Sequence, residues 1–264
     1  MNKQSFVMKC GGSTLAALPQ TFFDDLHDLQ QNGHMPVIVH GGGPAISETL
    51  EQLAITTEFV GGLRVTNEAV LDVVEMVLAG RINKEIVRRI GISGAKALGV
   101  SGVDGGLIEA VPVANTQEVG LVGDVSAVNR ELVEGIMEMG YMPVIAPVGI
   151  SADGTQRYNI NADTAAGAVA SRIGVKRMIV VTDVPGIMKP IDGVKTVLPQ
   201  VTVAEIEEMI ASGDIYGGMI PKVGAAIQCI QGDVEEVVIV QGEEPQVLSR
   251  VLSGEAIGTR ILNK

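Results

Sequence analysis

The stretch Val37–Ser47, VIVHGGGPAIS, joins a continuous apolar run to three glycines, then to a proline followed by helix-forming residues. A short β-branched run without polar alternation suits a strand covered on both faces, as in a parallel sheet. Pro44 fits the first position of a helix, where a missing N–H removes no hydrogen bond. The stretch therefore reads as one strand, a glycine turn and the start of a helix.

The same rhythm recurs along the chain. Apolar runs predict strands at Ser5–Lys9, Pro36–His40, Lys96–Ser101, Met142–Pro147, Met178–Thr182 and Glu236–Val240. Between them, apolar residues at helical spacing predict helices over Pro19–Gln31, Ala45–Leu53, Asn67–Ile90, Ser126–Met139 and Thr202–Ser212, the last opening with a Thr-x-x-Glu box. Such alternation predicts an α/β fold, an αβα sandwich around a central, mostly parallel sheet. Gly102–Asp124, rich in glycine and without helical period, reads as hairpins projecting from that sheet. No linker divides the chain, but a second set of strands begins after Gly174. We expect a functional division there, into lobes over 1–173 and 174–264.

Composition removes several classes. Of 264 residues, 46% are apolar, enough for a sizeable core, and the chain is not a disordered one. Aromatics are 3% and tryptophan is absent, so a stacking platform for single strands is not available. The formal charge is −12, from 19 Lys and Arg against 31 Asp and Glu, which opposes duplex DNA and anionic membranes. No window of 18 uninterrupted apolar residues occurs, and the opening MNKQSFVMKCGG reads as a strand entering a turn. The expected setting is cytoplasmic, without nucleic acid or membrane. Cys10 and Cys229 are too few and too far apart for a zinc motif or a disulfide framework, and buried thiols are expected.

Two strand ends carry glycines: KCGGS (Lys9–Ser13) and HGGGP (His40–Pro44). Neither matches the Walker A loop or the dinucleotide fingerprint, which excludes the standard phosphate motifs. The physics of anion binding remains. Ligands bind beyond the carboxyl ends of parallel strands. Glycines there let backbone N–H groups approach closely, and a helix N-terminus adds roughly half a positive charge. Lys9 supplies a cation at the same end. Tight αβ turns would explain one such loop; two loops with a lysine favour a phosphoryl group.

Further segments carry chemistry. GGLRVTN (Gly61–Asn67) offers Arg64 for a carboxylate. NINAD (Asn159–Asp163) places Asn159, Asn161 and Asp163 at a strand-to-helix junction, where capping explains one of the three. TDVPGIM (Thr182–Met188) ends a strand with a turn, and GGMIPK (Gly217–Lys222) delivers a second lysine after a glycine pair. The three histidines form no triad or ligand pattern; His40 could orient the glycine loop, although packing is its simpler role. No protein-bound metal site is visible.

In this order, KCGGS, IVHGGGP, GGLRVT, MVLAGRINKEIV, GLVGDV, PVIAPVG, NINAD, VTDVPGI, GGMIPKV and GTRI resemble the amino acid kinase family over essentially the whole chain. The set is most similar to members whose acceptor is N-acetyl-L-glutamate. The resemblance implies ATP as phosphoryl donor, with Mg²⁺ carried by the nucleotide. Lys9 and Lys222 would flank the phosphoryl group, and Asp163 would hold both lysines. Gly11, Gly12, Gly42 and Gly43 would donate N–H groups to the phosphate. Gly42 and Gly43, with Arg64 and Asn159, would also bind the acceptor. Asp183, Val184, Pro185, Gly186, Ile187 and Met188, with Asp214, Ile215 and Tyr216, would hold the nucleotide.

The first strand begins within about five residues, without the N-terminal helix that interlaces arginine-inhibited members into hexamers. The resemblance therefore implies an arginine-insensitive homodimer, with the Asn67–Ile90 helix as its candidate surface. Two alternatives stay open: the same fold acting on another acid such as N-acetyl-aminoadipate, or a non-catalytic nucleotide or amino-acid sensor.

Overall fold

The computed structural model describes residues 5–11, 14, 18–191, 194–216, 219–231 and 234–262; the side chains of residues 191, 221, 222, 225 and 231 are also outside the description. Eight strands form the central sheet. Their spatial order is Gln200–Thr202, Thr259–Leu262, Glu236–Gln241, Arg177–Thr182, Ser5–Cys10, Met35–His40, Met142–Ala146 and Ala97–Ser101. Every neighbouring pair is parallel except Glu236–Gln241 with Thr259–Leu262. All six predicted strands lie in this sheet, within one or two residues at either end.

Side-chain alternation explains why these runs are apolar throughout. Val7, Val37, Val39, Val180, Val237 and Ile239 enter one core, while Phe6, Met8, Cys10, Ile38, Val181 and Val238 enter the other. Both faces are covered, so no position is free to be polar without a partner. Lys9 shares the face of Val7, and the helix Ala162–Ile173 packs over that face through Ala165, Ala166, Val169 and Ala170. Helix Met219–Gln231 packs closely on it in turn: a Cβ at Gly167 would lie 2.6 Å from Cys229 Sγ. Both cysteines are free and buried, and desolvation pushes both thiols up to about 12.

The first strand is where the order reverses. Lys9 pairs with Val39 on one side and Val180 on the other. A crevice beyond the carboxyl ends at such a point is the expected ligand position. The strands from 1–173 occupy one side of it and those from 174–262 the other.

The glycine-rich segment after the third predicted strand does form a hairpin. Ile108–Pro112 and Val122–Val128 pair antiparallel and close with Val148–Ile150 and Arg157–Ile160 into a small four-stranded barrel. This corrects the helix expected over Ser126–Met139. Ser126 belongs to the strand, and the helix is Arg130–Glu138, started by Asn129, whose side chain accepts the Leu132 N–H at 3.1 Å.

The long helix is also not uniform. Asn67 caps Glu68–Glu75, a π-helical segment follows over Met76–Ile82, and α-helix resumes over Asn83–Ile92. Its apolar stripe of Val70, Val73, Val74, Val77 and Leu78 is buried against Ile46, Leu50, Ala146 and Val148 of the same chain. The stripe is thus core, and the outward residues Met76 and Ile92 are the exposed apolar ones. No helix among the described residues is long and apolar enough to cross a membrane.

Candidate active site

Beyond the carboxyl ends of the first two strands lies a cleft of about 240 Å³, bordered by Lys9, Gly41–Gly43, Arg64, Asn159, Asn161 and Asp163. Five residues singled out in the sequence for the acceptor and phosphate, Lys9, Gly42, Gly43, Arg64 and Asn159, are brought together here with Asp163. Lys9 Nζ sits 2.7 Å from Asp163 Oδ1, and both side chains are largely buried. The strand supplies the lysine and the first turn of the Ala162–Ile173 helix supplies the carboxylate. Asn161 is the cap of that helix, accepting the N–H groups of Asp163 at 2.8 Å and Thr164 at 3.3 Å. Capping thus accounts for Asn161 and leaves Asp163 free for the lysine.

The glycine turn starts helix Gly43–Gln52, whose first N–H groups have no intrahelical partner. Gly42 is glycine because of close approach: a Cβ there would lie 2.4 Å from Ile82 Cδ1 and 2.6 Å from Leu78 Cδ2, both in the π-helical segment. At Gly43 nothing lies within 4 Å of such a Cβ. Across the cleft, Phe59–Val60 and Leu63–Arg64 form a two-stranded hairpin, and Gly61 and Gly62 at its turn have positive φ. Arg64 is buried and braced. Its guanidinium donates to Thr57 Oγ1 at 2.9 Å, Gly43 O at 3.1 Å and Ser47 Oγ at 2.9 Å, and stacks 4.6 Å from the Phe59 ring centre. Burial lowers its pKa from the ordinary arginine value, and it keeps its charge. Asn159 Nδ2 donates to Thr66 Oγ1 at 3.1 Å, and Thr66 Oγ1 donates to Arg64 O at 2.7 Å. Arg64 and Asn159 are therefore linked through one buried hydroxyl.

Under the glycine turn, the fully buried His40 ring lies 3.2 Å from Gly41 O through Nδ1 and 3.2 Å from Asn83 Nδ2 through Nε2. Desolvation lowers its pKa to about 4, so the ring is neutral at neutral pH.

A second cleft, of about 380 Å³, brings Gly186, Ile187 and Met188 to Asp214, Ile215 and Tyr216. It matches the later part of the expected nucleotide segment. Asp183, Val184 and Pro185 form the turn leading into it and do not border it; Thr182 Oγ1 donates to Asp183 Oδ1 at 2.9 Å. Gly11 lies at the carboxyl end of the first strand, and its N–H donates to Val181 O over a long 3.4 Å. Gly12 lies outside the described residues. Lys222 stands in helix Met219–Gln231, but its side chain is outside the described residues as well.

Several bordering residues were not singled out beforehand: Gly41, Phe59, Leu78 and Pro147 at the first cleft, Lys195 and Met219 at the second. Phe59 carried a faint signal, an aromatic just before a Gly-Gly turn. Leu78 and Pro147 carried none, because an apolar side chain at a site looks like any core residue. A larger cleft of about 530 Å³ lies at the opposite ends of the strands, among Ser5, Lys176, Arg177, Glu235 and Glu236. It is bordered by Ser5 and Leu262 and carries ion pairs rather than donors facing a ligand.

The profile of the amino acid kinase family matches residues 4–241. The acetylglutamate kinase of Brevibacillus brevis is 49% identical over 97% of this chain and 96% of its own length. That of Geobacillus kaustophilus is 48% identical over 91% of each. Among solved structures, a protein from Streptococcus mutans UA159 superposes with a TM-score of 0.87 at 28% identity, over 99% of this chain and all of its own.

Proposed function

The chain belongs to the amino acid kinase family, and from that membership we propose that it transfers the γ-phosphoryl group of ATP to the γ-carboxylate of N-acetyl-L-glutamate. The products are N-acetyl-L-glutamyl 5-phosphate and ADP, the second step of arginine biosynthesis. The observation that carries this reading is one cleft holding a buried lysine–carboxylate pair, a glycine turn at a helix N-terminus, and a braced arginine beside Asn159. Nearly full-length relatives named acetylglutamate kinase support the choice of acceptor.

The chemistry follows from the inventory. A γ-carboxylate is ionised at pH 7 and attacks phosphorus without a general base. The protein's task is to align two anions and stabilise charge spread over the transferring group. Arg64 grips the acceptor's α-carboxylate, with Asn159 beside it. Gly42 and Gly43 offer N–H groups to the phosphoryl oxygens, as does Gly12 from the other turn; the Gly11 N–H is turned to Val181 O instead. Lys9, held by Asp163, neutralises charge from one side, and Lys222 does so from the other. The second cleft takes the adenine nucleotide through Gly186–Met188 and Asp214–Tyr216, with Asp183, Val184 and Pro185 forming the turn that leads into it.

Among the described residues no group of three His, Cys, Asp or Glu is placed to hold a metal ion. Asp163 is the acidic side chain at the first cleft and already faces Lys9. We infer that Mg²⁺ arrives with the nucleotide's own phosphates, where it would screen the phosphate charge. We further infer two lobes sharing one sheet, with Gly174, a left-handed cap, at their boundary, and a homodimer. The exposed Met76 and Ile92 on the long helix and Leu98 on the edge strand support that surface.

Hydroxylamine trapping tests the reaction, because it converts an acyl phosphate to a coloured hydroxamate. Colour is expected with ATP, Mg²⁺ and N-acetylglutamate, and far less with N-acetyl-aminoadipate, glutamate or aspartate. Colour chiefly with another acid would discard the reading of Arg64 and Asn159. Sizing chromatography at the mass of two chains checks the dimer, and a hexamer would reject it.

A further inference from the structure

His40 belongs to the glycine turn by sequence, yet the reaction above gives it no task. Its surroundings fix its proton. Lys84 Nζ, which can only donate, lies 3.0 Å from Asn83 Oδ1 and 3.0 Å from Gly99 O. That contact orients the Asn83 amide, sending its Nδ2 toward Val144 O at 2.9 Å, Val100 O at 3.2 Å and His40 Nε2 at 3.2 Å. Asn83 Nδ2 shares two protons among these three neighbours and can accept none, so an N–H at Nε2 would face only a donor. The proton of the neutral ring is then on Nδ1, where Gly41 O, 3.2 Å away, can only accept it.

The Gly41 carbonyl and the Gly42 N–H belong to one peptide unit, and no peptide bond here is cis. In a trans unit these groups point in opposite directions. Holding Gly41 O toward the buried ring therefore turns the Gly42 N–H away from it, at the edge of the cleft. We propose that His40 is a positioning residue, its Nδ1–H anchoring the Gly41 carbonyl so that the Gly42 N–H is aimed at the transferring phosphoryl group. The link runs from Lys84 on the exposed face of the long helix, through Asn83 at the end of the π-helical segment, to the phosphate turn. This rests on the phosphoryl-transfer reading of the same cleft.

Two substitutions separate positioning from packing. His40→Asn keeps a donor where Nδ1 stands and loses the partner of Asn83. His40→Gln keeps an acceptor where Nε2 stands and loses the donor to Gly41. Each removes one bond from the same buried place, so a structural role alone would make them alike. Positioning predicts that His40→Gln loses about 10²-fold in kcat, the scale of one preorganised donor, with the acceptor KM changed little. His40→Asn should lose about tenfold or less, and the Gly42 amide resonance should move in the Gln variant but not in the Asn variant. Equal losses, or the reverse order, overturn the proposal.

The wild-type protein gives a check that needs no variant to fold. With three histidines in the chain, imidazole ¹⁵N spectra must show His40 as the Nδ1–H tautomer at neutral pH; an Nε2–H tautomer overturns the proposal outright. If the wild type forms no hydroxamate from any acid, the reaction assigned above fails. The tautomer and the Gly42 resonance would still decide whether His40 holds the turn.

Discussion

Lys9 Nζ and Asp163 Oδ1 stand 2.7 Å apart at the cleft, joining the central strand to the helix that covers it. A lysine so nearly enclosed needs a counter-charge, and breaking such a pair costs more than forming it gains. Asp163→Asn should lower kcat by about 10²-fold and stability by up to about 3 kcal/mol, the low end of the range for buried pairs, since the cleft admits water. ATP with Mg²⁺ brings replacement negative charge to Lys9. The nucleotide-induced rise in Tm should therefore be larger in the variant than in the wild type. An equal or smaller rise, measured by thermal shift, would detach Asp163 from the phosphate site.

Lys222 is proposed to act opposite Lys9. Lys222→Ala should lower kcat about 10²–10³-fold, the usual scale for one preorganised stabilising group. Steady-state kinetics with a near-normal kcat would remove it from the mechanism.

Arg64 is held on four sides, by Thr57, Gly43, Ser47 and the Phe59 ring. A lysine retains the charge but not the planar fork or the stacking. Arg64→Lys should raise the acceptor KM by about 10- to 100-fold, equivalent to one or two charge-assisted hydrogen bonds. The ATP KM should change far less. Equal changes in both constants would show a general disturbance instead of a lost acceptor contact.

Gly42 and Gly43 are neighbours with different reasons to be glycine. An added methyl at Gly42 meets Ile82 and Leu78 inside 2.7 Å, whereas one at Gly43 meets nothing within 4 Å. Gly42→Ala should cost about 1–3 kcal/mol of stability through overpacking, as well as activity. Gly43→Ala should leave urea unfolding within about 0.5 kcal/mol of wild type and lose activity alone. Equal destabilisation of the two would contradict the packing described.

His40 also predicts an acid sensitivity. Desolvation, the largest cause, lowers its pKa from 6.5 to about 4, the Gly41 bond works against this, and the Lys84 charge adds to it. Between those values the unfolded chain binds a proton that the folded chain does not, so stability rises with pH across the window. The contribution is complete above 6.5 and is lost as pH falls to about 4, roughly 3 kcal/mol in all. Urea unfolding at pH 7.5 and 4.5 should show a drop that is about 2–3 kcal/mol smaller in His40→Asn. Identical drops would mean that the wild-type ring is solvated.

The βα rhythm was legible because a strand buried on both faces has to be apolar at every position. Ser5–Cys10, Met35–His40 and Arg177–Thr182 could be found that way. Gln200–Thr202 and Thr259–Leu262 could not: they are short, lie toward one edge of the sheet and are half polar or more. Helix Arg130–Glu138 was begun four residues early, since Ser126–Val128 fits either period over so short a run. The π-helical segment left no periodic mark, because one altered turn barely shifts a seven-residue pattern.

The sequence by itself determined the layered α/β class, the family, and which residue types would meet a phosphate, because strand burial and glycine turns are local properties. Lys9, the glycine turn and Arg64 stood out as chemically apt before any contact was known. The family resemblance already implied Asp163 for Lys9, which the structure places 2.7 Å apart, but tertiary structure alone decided the other pairings: Ser47 and Thr57 to Arg64, Asn83 to His40. His40 and Asn83 are 43 positions apart in the chain. Such partners are selected by the packing of strand, helix and turn at one end of the sheet, and a buried donor finds its acceptor only when that packing is complete.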